Sequence, residues 1–221
     1  MKLHTVFVTH NRLELTKRAI ASYFETVTVP HTVCVFDNAS TDGTAEWLEE
    51  QGLERVFDVI LSPENRYPGY AANRGWEQAP RDATHLQRAD NDFLFLPGWC
   101  QAVMEMFGGW TGQVGLRTDE EEGHAEWNVG GNNIILRKLF DKGLRYVEAP
   151  WTDRTTFPPG WSEDSFFSPA VRSLGYKWKR VQRPCIVSMA SGDWKDPYYQ
   201  RSYGDRGIRP RPDDPTRPGT T

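Results

Sequence analysis

Short apolar runs alternate with helical periodicity over the first half of this chain. Leu3–Thr9 (LHTVFVT) is apolar and β-branched and predicts a buried strand. Leu15, Ala19, Ile20 and Tyr23 then recur at helical spacing, predicting a helix from Leu13 to about Phe24. Thr32–Phe36 is a second apolar strand, and it ends in Asp37-Asn38. The turn formers Ser40 to Thr44 open a helix through Ala45, Trp47 and Leu48 that stops near Gly52. Val56–Leu61 predicts a third strand. Pro63–Trp76, with Gly69 and Gly75, leads into a short helix. Thr84–Ala89 predicts a fourth strand, delivering Asp90-Asn91-Asp92, and Pro97-Gly98 starts a helix through Cys100, Val103 and Phe107.

Mostly apolar strands separated by helices imply an α/β fold, a mixed, mostly parallel central sheet with helices on both faces. Ligands of such sheets bind beyond the carboxyl ends of the strands. The polar clusters Thr9–Arg12, Asp37–Asp42 and Asp90–Asp92 all fall at such ends. In an extended stretch, Asp90 and Asp92 share one face. One carboxylate can then accept a hydrogen bond from a sugar or ribose hydroxyl, while the other holds a hard divalent cation. A plain turn is the alternative for a triplet of this composition.

The pattern changes after residue 110. Gln113–Arg117 reads as a strand, Thr118–Glu126 as an acidic loop, and Trp127–Leu136 as a strand broken at Gly130-Gly131. Residues 150–160 hold three prolines and no periodicity, which predicts a mobile loop or lid. Trp161 to Asp164 opens a helix that ends at Gly175. Tyr176–Val181 alternates aromatic and basic residues, and Pro184–Met189 is a last apolar run. One domain over residues 1–190 is expected, in halves of 1–110 and 111–190, followed by a basic, aromatic extension over 191–221.

Composition narrows the class. The 221 residues suit one good core, and no apolar run approaches the length of a membrane span. The N-terminus enters a strand at once without a signal-peptide pattern. Cys34, Cys100 and Cys185 match no zinc spacing and read as reduced core thiols of a cytoplasmic protein. The net charge of −4 is uneven: residues 1–176 carry 16 Lys/Arg against 25 Asp/Glu, residues 177–221 carry 10 against 5. A basic end on an acidic body suits an anionic partner or a solvated tail equally.

Six stretches, in order, resemble the GT-A glycosyltransferases, in particular the family-2 inverting enzymes. They are VFVTHNR (6–12), VFDNASTDGT (35–44), NRYPGYAANRGW (65–76), RADND (88–92), GGNNIILRK (130–138) and WSEDSFFSPAVRSLGYKW (161–178). The resemblance implies a nucleotide-diphosphate sugar donor, a UDP-sugar foremost. It places Thr9, His10 and Arg12 at the base and pyrophosphate, Asp37 at the nucleobase edge, and Asn65, Gly69 and Asn73 over the nucleoside. His10 has a capping role as its alternative, and Arg12 a surface pairing with Glu14. Asp90 and Asn91 would bind ribose or sugar hydroxyls, and Asp92 would hold Mn²⁺ or Mg²⁺. Gly131, Asn132 and Trp161 would face the acceptor, with a place in the core as the equal alternative for Trp161.

By the same resemblance Asp164 is the base that takes the acceptor's proton, with Glu163 the less favoured candidate. Simple stabilisation of the helix N-terminus is the alternative for both. The stretch CIVSMASGDW (185–194) departs from the family, because no histidine follows His124 to serve as a further metal ligand. Either the metal is held more loosely, a group such as Asp193 substitutes, or metal dependence is weak.

The acceptor hydroxyl is not identified by these residues. Tyr176, Trp178, Trp194, Tyr198, Tyr199 and Tyr203 are interleaved with lysines and arginines, a mixture suited to nucleic acid. Compact chains of this kind also resemble bacteriophage transferases that glycosylate hydroxymethylated pyrimidines in DNA. A catalytically silent nucleotide-sugar or carbohydrate-binding module is the alternative from another class.

Overall fold

The computed structural model describes residues 1–53, 57–118 and 128–189. The first half runs β1 (Leu3–Thr9), α1 (Leu13–Thr26), β2 (His31–Asp37), α2 (Thr44–Leu53), β3 (Asp58–Leu61), α3 (Tyr67–Glu77) and β4 (His85–Asp90). It continues through β5 (Phe93–Phe95), α4 (Trp99–Met106) and β6 (Thr111–Gly115). The remainder is β7 (Asn133–Leu136), α5 (Arg137–Asp141), α6 (Glu163–Ser173), β8 (Lys177–Arg180) and β9 (Ile186–Ser188).

Seven strands form one sheet in the order β3-β2-β1-β4-β7-β6-β8. β1 lies inside the sheet and is buried along its whole length, its Leu, Val and Phe side chains in the cores and its His4, Thr5 and Thr9 hydrogen-bonded. β2 and β4 flank it in parallel, with Thr9 opposite Asp37 and Val8 opposite Asp90. Because these strands end level with one another, their polar terminal residues share one edge of the sheet. β7 runs antiparallel to β4 and pairs Asn133 with Arg88, which brings the 130–132 turn alongside Asp90.

Helices cover both faces. On one side Phe7, Tyr23, Phe95 and Trp99 form a core under α1 and α4. On the other, Trp76, Tyr146, Phe167 and Val171 pack beneath α3 and α6, and the Tyr146 and Phe167 rings stack at 3.8 Å. The mixed, mostly parallel α/β sheet expected from the pattern is therefore present.

Three elements differ from the pattern reading. The sheet strand ends at Asp90, and β5 leaves it to pair with β9 as a separate two-stranded sheet. Asp90 and Asp92 thus stand on either side of a turn rather than along one strand face. Residues 137–141, to which the pattern assigned no element, form α5. The 150–160 segment is folded by its own hydrogen bonds: Asp153 Oδ1 accepts from Thr155 and Oδ2 from Thr156, and Phe157 is fully buried. Prolines hid this from any periodicity test, because such turns are held by side chains rather than by a ladder. The acidic loop after Thr118, His124, Asp193 and the 191–221 extension lie outside the described residues.

Candidate active site

Two loops at the carboxyl edge are held by one buried carboxylate. Asp37 accepts hydrogen bonds from Thr9 Oγ1 at 2.8 Å, Ser40 Oγ at 2.5 Å and the Ser40 backbone N–H at 2.8 Å. It is 1% exposed, so it organises this edge from within and presents no face to a nucleobase. The carboxylate at the end of an apolar strand does have the partners that burial demands, and those partners are protein. His10 Nδ1 donates to the Asn38 carbonyl at 2.8 Å, tying the first loop to the second.

Backbone strain concentrates here. Among the described residues, four non-glycine positions adopt left-handed φ: Asn11 (56°), Arg12 (66°), Ala39 (59°) and Tyr67 (65°). Each costs on the order of 1 kcal/mol or more. All four follow β1, β2 or β3 at the same sheet edge, and residues held so collect where a fold builds a binding site.

The acidic triplet divides between two arginines. Arg12 Nη1 donates to Asp92 Oδ2 at 2.9 Å, across both loops; Glu14 instead pairs with Lys17. Asp90 accepts from Arg88 Nε at 3.1 Å and from Asn132 Nδ2 at 3.3 Å, while its backbone N–H donates to Asn132 Oδ1. Asn91 points inward, donating to the Asn11 carbonyl and to Thr16 Oγ1, so its amide secures the start of α1 rather than facing a hydroxyl.

Arg88 links this edge to the acidic pair of α6. Its Nη1 donates to Glu163 Oε1 at 2.7 Å and lies 3.8 Å from Asp164 Oδ1. Ser165 Oγ accepts the Ser162 N–H at 3.1 Å, fixing the first turn of the helix in a capping-box arrangement. Glu163 is buried, and its second oxygen accepts from Trp151 Nε1 at 2.7 Å. Burial opposes its ionisation, but Arg88 and Trp151 together hold its carboxyl below the usual range. Asp164 keeps a quarter of its side chain exposed. Burial, and then the adjacent Glu163 charge, push its carboxyl up to about 7 against the pull of Arg88. A carboxylate poised near neutrality and partly open to solvent suits general-base work.

The residues read as nucleoside contacts, Gly69 and Asn73 on α3 and Asn65 before it, have partners within the protein. Asn73 is fully buried and pairs with Tyr146 like a strand neighbour, donating to its carbonyl at 2.9 Å and accepting from its N–H at 3.0 Å. A Cβ on Gly69 would stand 2.1 Å from the Val147 carbonyl oxygen. The close approach anticipated at Gly69 is real, but its partner is the protein's own 146–148 segment. Asn65 accepts from the Tyr67 N–H at 2.9 Å and stabilises that strained residue. Gly131 likewise admits side chains of the site itself, since its Cβ would lie 2.8 Å from Asp90 Oδ2 and 2.9 Å from Arg88 Nη2. Trp161 is 37% exposed, with its ring 5.1 Å from that of Phe166.

Asp90, Asn132, Glu163 and Asp164 thus meet around one buried guanidinium, with Asp92 and Arg12 at the adjoining turn. Arg88 and Trp151 were not singled out from sequence. An arginine inside the predicted strand Thr84–Ala89 was the available signal, because a buried cation requires a buried partner; Trp151 offered none. Some basic side chains near the described C-terminal part lie over its aromatic rings. Arg172 lies over Trp178, and Lys138 and Lys142 lie over Tyr176. Trp194, Tyr198, Tyr199 and Tyr203 are outside the described residues.

A sheet of this order, with carboxylates gathered beyond its parallel strands, defines the GT-A glycosyltransferase fold. The chain belongs to glycosyl transferase family 2, whose sequence model matches residues 5–158. The matched span ends before Glu163 and Asp164. No curated protein sequence matches the chain. Among solved structures it is similar to the Pyrobaculum calidifontis mannosyltransferase PcManGT in complex with GDP-Man and Mn²⁺ (TM-score 0.71, 17% identity). That match covers 87% of this chain and 58% of the other. It is also similar to S. aureus TarS 1-349 in complex with UDP-GlcNAc (TM-score 0.64, 15% identity, 87% and 61% covered). A Drosophila β1,4-galactosyltransferase 7 catalytic domain in complex with xylobiose matches at TM-score 0.57 and 17% identity, covering 82% of this chain and 65% of that one. The chain therefore spans about three-fifths of the length of these structures.

Asp92 is the residue whose chemistry fits a divalent cation. It is a hard oxygen donor at the strand-end turn, 13% exposed. Among the described residues no group of three His, Cys, Asp or Glu side chains could hold a metal unaided. Asp92 Oδ2 meets Arg12 Nη1 at 2.9 Å, and a single carboxylate of this kind suits a cation whose remaining ligands are phosphate oxygens and waters. Among the same residues no helix is long and apolar enough to cross a membrane.

Proposed function

We infer that this chain is an inverting glycosyltransferase, moving a sugar from a nucleotide-diphosphate donor to an acceptor hydroxyl by single displacement. The observation that carries this reading is the meeting of Asp90 with Glu163 and Asp164 on the Arg88 guanidinium. One sugar ring placed at this edge can touch the donor-side carboxylate and the base together. The family membership supports the reaction class. The neighbours solved with GDP-Man and UDP-GlcNAc support a nucleotide-sugar donor.

In this reading Asp164 takes the proton of the attacking hydroxyl, and its open edge admits the acceptor. Asp90 accepts a hydrogen bond from a ribose or sugar hydroxyl. Arg12 and His10 line the strained loop beside the pyrophosphate, where a fixed cation opposes the charge gained by the leaving group. Asp37, Asn65, Gly69, Asn73 and Asn91 shape the donor wall from behind. Asp92 would hold Mn²⁺ or Mg²⁺, which supplies further positive charge to the departing phosphates. The donor placed first is a UDP-sugar, with GDP-sugars beside it in the test.

The test is a thermal-shift panel of UDP- and GDP-sugars with and without Mn²⁺, followed by turnover with acceptors including sugars and duplex DNA carrying hydroxymethyl bases. A donor at 100 times its Kd stabilises the fold by about 2.7 kcal/mol, so the correct one stands out. Asp164→Asn is expected to lower turnover by about 10²–10⁴-fold while keeping the donor-induced shift. Normal turnover in that variant refutes the assignment of the base. Donor binding without any transfer or donor hydrolysis points to the silent binding module instead.

A further inference from the structure

We propose that Arg88 and Trp151 are positioning residues that split the acidic pair, clamping both oxygens of Glu163 so that Asp164 is left as the carboxylate serving the acceptor. The inference rests on the reading of Asp164 as base and adds how the fold selects it over its neighbour.

The cluster sets one cation against three carboxylates, with Arg88 and Glu163 closed to water while Asp90 and Asp164 keep about a quarter of their side chains exposed. Arg88 is 3% exposed and Glu163 2%. The charged and titratable groups facing Asp164 are Arg88 and Asp90 on β4, Glu163 on its own helix and Tyr146 from the preceding segment. A guanidinium has five N–H donors on three nitrogens, so the division among the three carboxylates is set by their placement around it. Nε is directed at Asp90 at 3.1 Å and Nη1 at Glu163 at 2.7 Å, while Asp164 stays at 3.8 Å. Trp151 then supplies a second donor to Glu163 at 2.7 Å. Glu163 is thereby the fixed anion, and Asp164 receives a 3.3 Å hydrogen bond from Ser162 Oγ together with the open edge.

Neither donor is loosely placed. The guanidinium carbon lies 5.2 Å from the centre of the Tyr146 ring, which is stacked on Phe167 of α6. Gly131 closes the other side, where a Cβ would meet Arg88 Nη2 at 2.9 Å. The Trp151 ring stands edge-on to the strained Tyr67 at 5.5 Å. A lysine at 88 would keep the charge but lose the planar fork that serves two carboxylates at once.

The test combines a substrate-free measurement with kinetics. ¹³C-detected carboxyl titrations, assigned with Asp164→Asn, are recorded for the wild type, Trp151→Phe and Arg88→Lys. In the wild type, Asp164 titrates near neutrality and Glu163 well below it. In Trp151→Phe, Glu163 is expected to take up its proton roughly one pH unit higher, with kcat lower by roughly tenfold, the scale of one hydrogen bond to a charged group. Donor KM stays within about threefold, because the loss falls on the chemical step. In Arg88→Lys the acid limb of the kcat profile moves to higher pH; should that variant fail to fold, Trp151→Phe decides alone.

A packing role by itself would lower the Tm and leave the Glu163 titration in place, which overturns the proposal. So would a parallel change of kcat and donor KM. The carboxyl titration needs no substrate, so the two readings fail separately. A silent protein with the expected titrations overturns the transferase reading, whereas a working transferase with unmoved titrations overturns the positioning role alone.

Discussion

Asp164 illustrates how a single side chain can be set against the stability of its own fold. Its carboxyl titrates at about 7 in the folded chain against 3.8 for an ordinary aspartate, first because of burial and then because of Glu163. The folded state therefore binds this proton more tightly than the unfolded one. That contribution is fully present below the unfolded value and is lost as pH rises through the folded one. Asp164→Asn abolishes the loss. At about pH 8 its Tm is expected to exceed that of the wild type, and the gap should narrow as pH falls and close only below about 3.8. A wild-type advantage at high pH would show that the folded chain does not favour the protonated aspartate. Activity follows the opposite course, since the base must be ionised: kcat is expected to rise with pH through about 7. The residue chemistry was legible where charge stood in unusual company. Glu163-Asp164 opening a helix and Asp90 ending an apolar strand were both visible. Asp37 and Asn73 were equally conspicuous as polar residues, yet their partners are protein groups, and a sequence does not show which partner a buried polar atom has found.

At the level of elements, α3 and the 146–148 segment form a unit that supports the site from beneath. Asn73 bonds Tyr146 in both directions, and Gly69 lets the Val147 carbonyl approach where a side chain would stand. Tyr146 in turn carries Arg88 on its ring. Gly69→Ala is therefore expected to displace this segment and cost about 1–3 kcal/mol, the range for overpacking, measured by urea unfolding. Turnover should fall in the same variant, because Trp151 follows a few residues later. An unchanged unfolding midpoint would mean that the segment yields without strain. Helices and strands with strong periodicity were readable here, β1, α1 and β4 above all. The 150–160 segment was not, because its order comes from Asp153 bonding two threonines and from the buried ring of Phe157.

Across the whole molecule, the last described stretch completes the site from a distance. β9 pairs with β5, and the Met189 N–H donates to the Asp92 carbonyl at 2.9 Å, bracing the turn that follows β4. α6 adds Phe167 and Val171 to one core, and β9 adds Ile186 to the other. A chain ended at residue 158, where the family match stops, loses all of these. It is expected to unfold without a sharp calorimetric transition, since both cores are opened at once. A cooperative transition in that fragment would show that the sheet closes without its final strands. The periodicity of the apolar residues by itself determined the alternation of strand and helix, because burial on both faces of a parallel sheet selects for it. With the chain order of its polar clusters, it also determined which edge carries the site. Which of those polar groups face a substrate was decided only by tertiary structure. The hydrogen bonds that join Glu163 to Arg88 and Trp151 link residues up to 75 positions apart, and a linear pattern carries no record of pairings made by distance and angle.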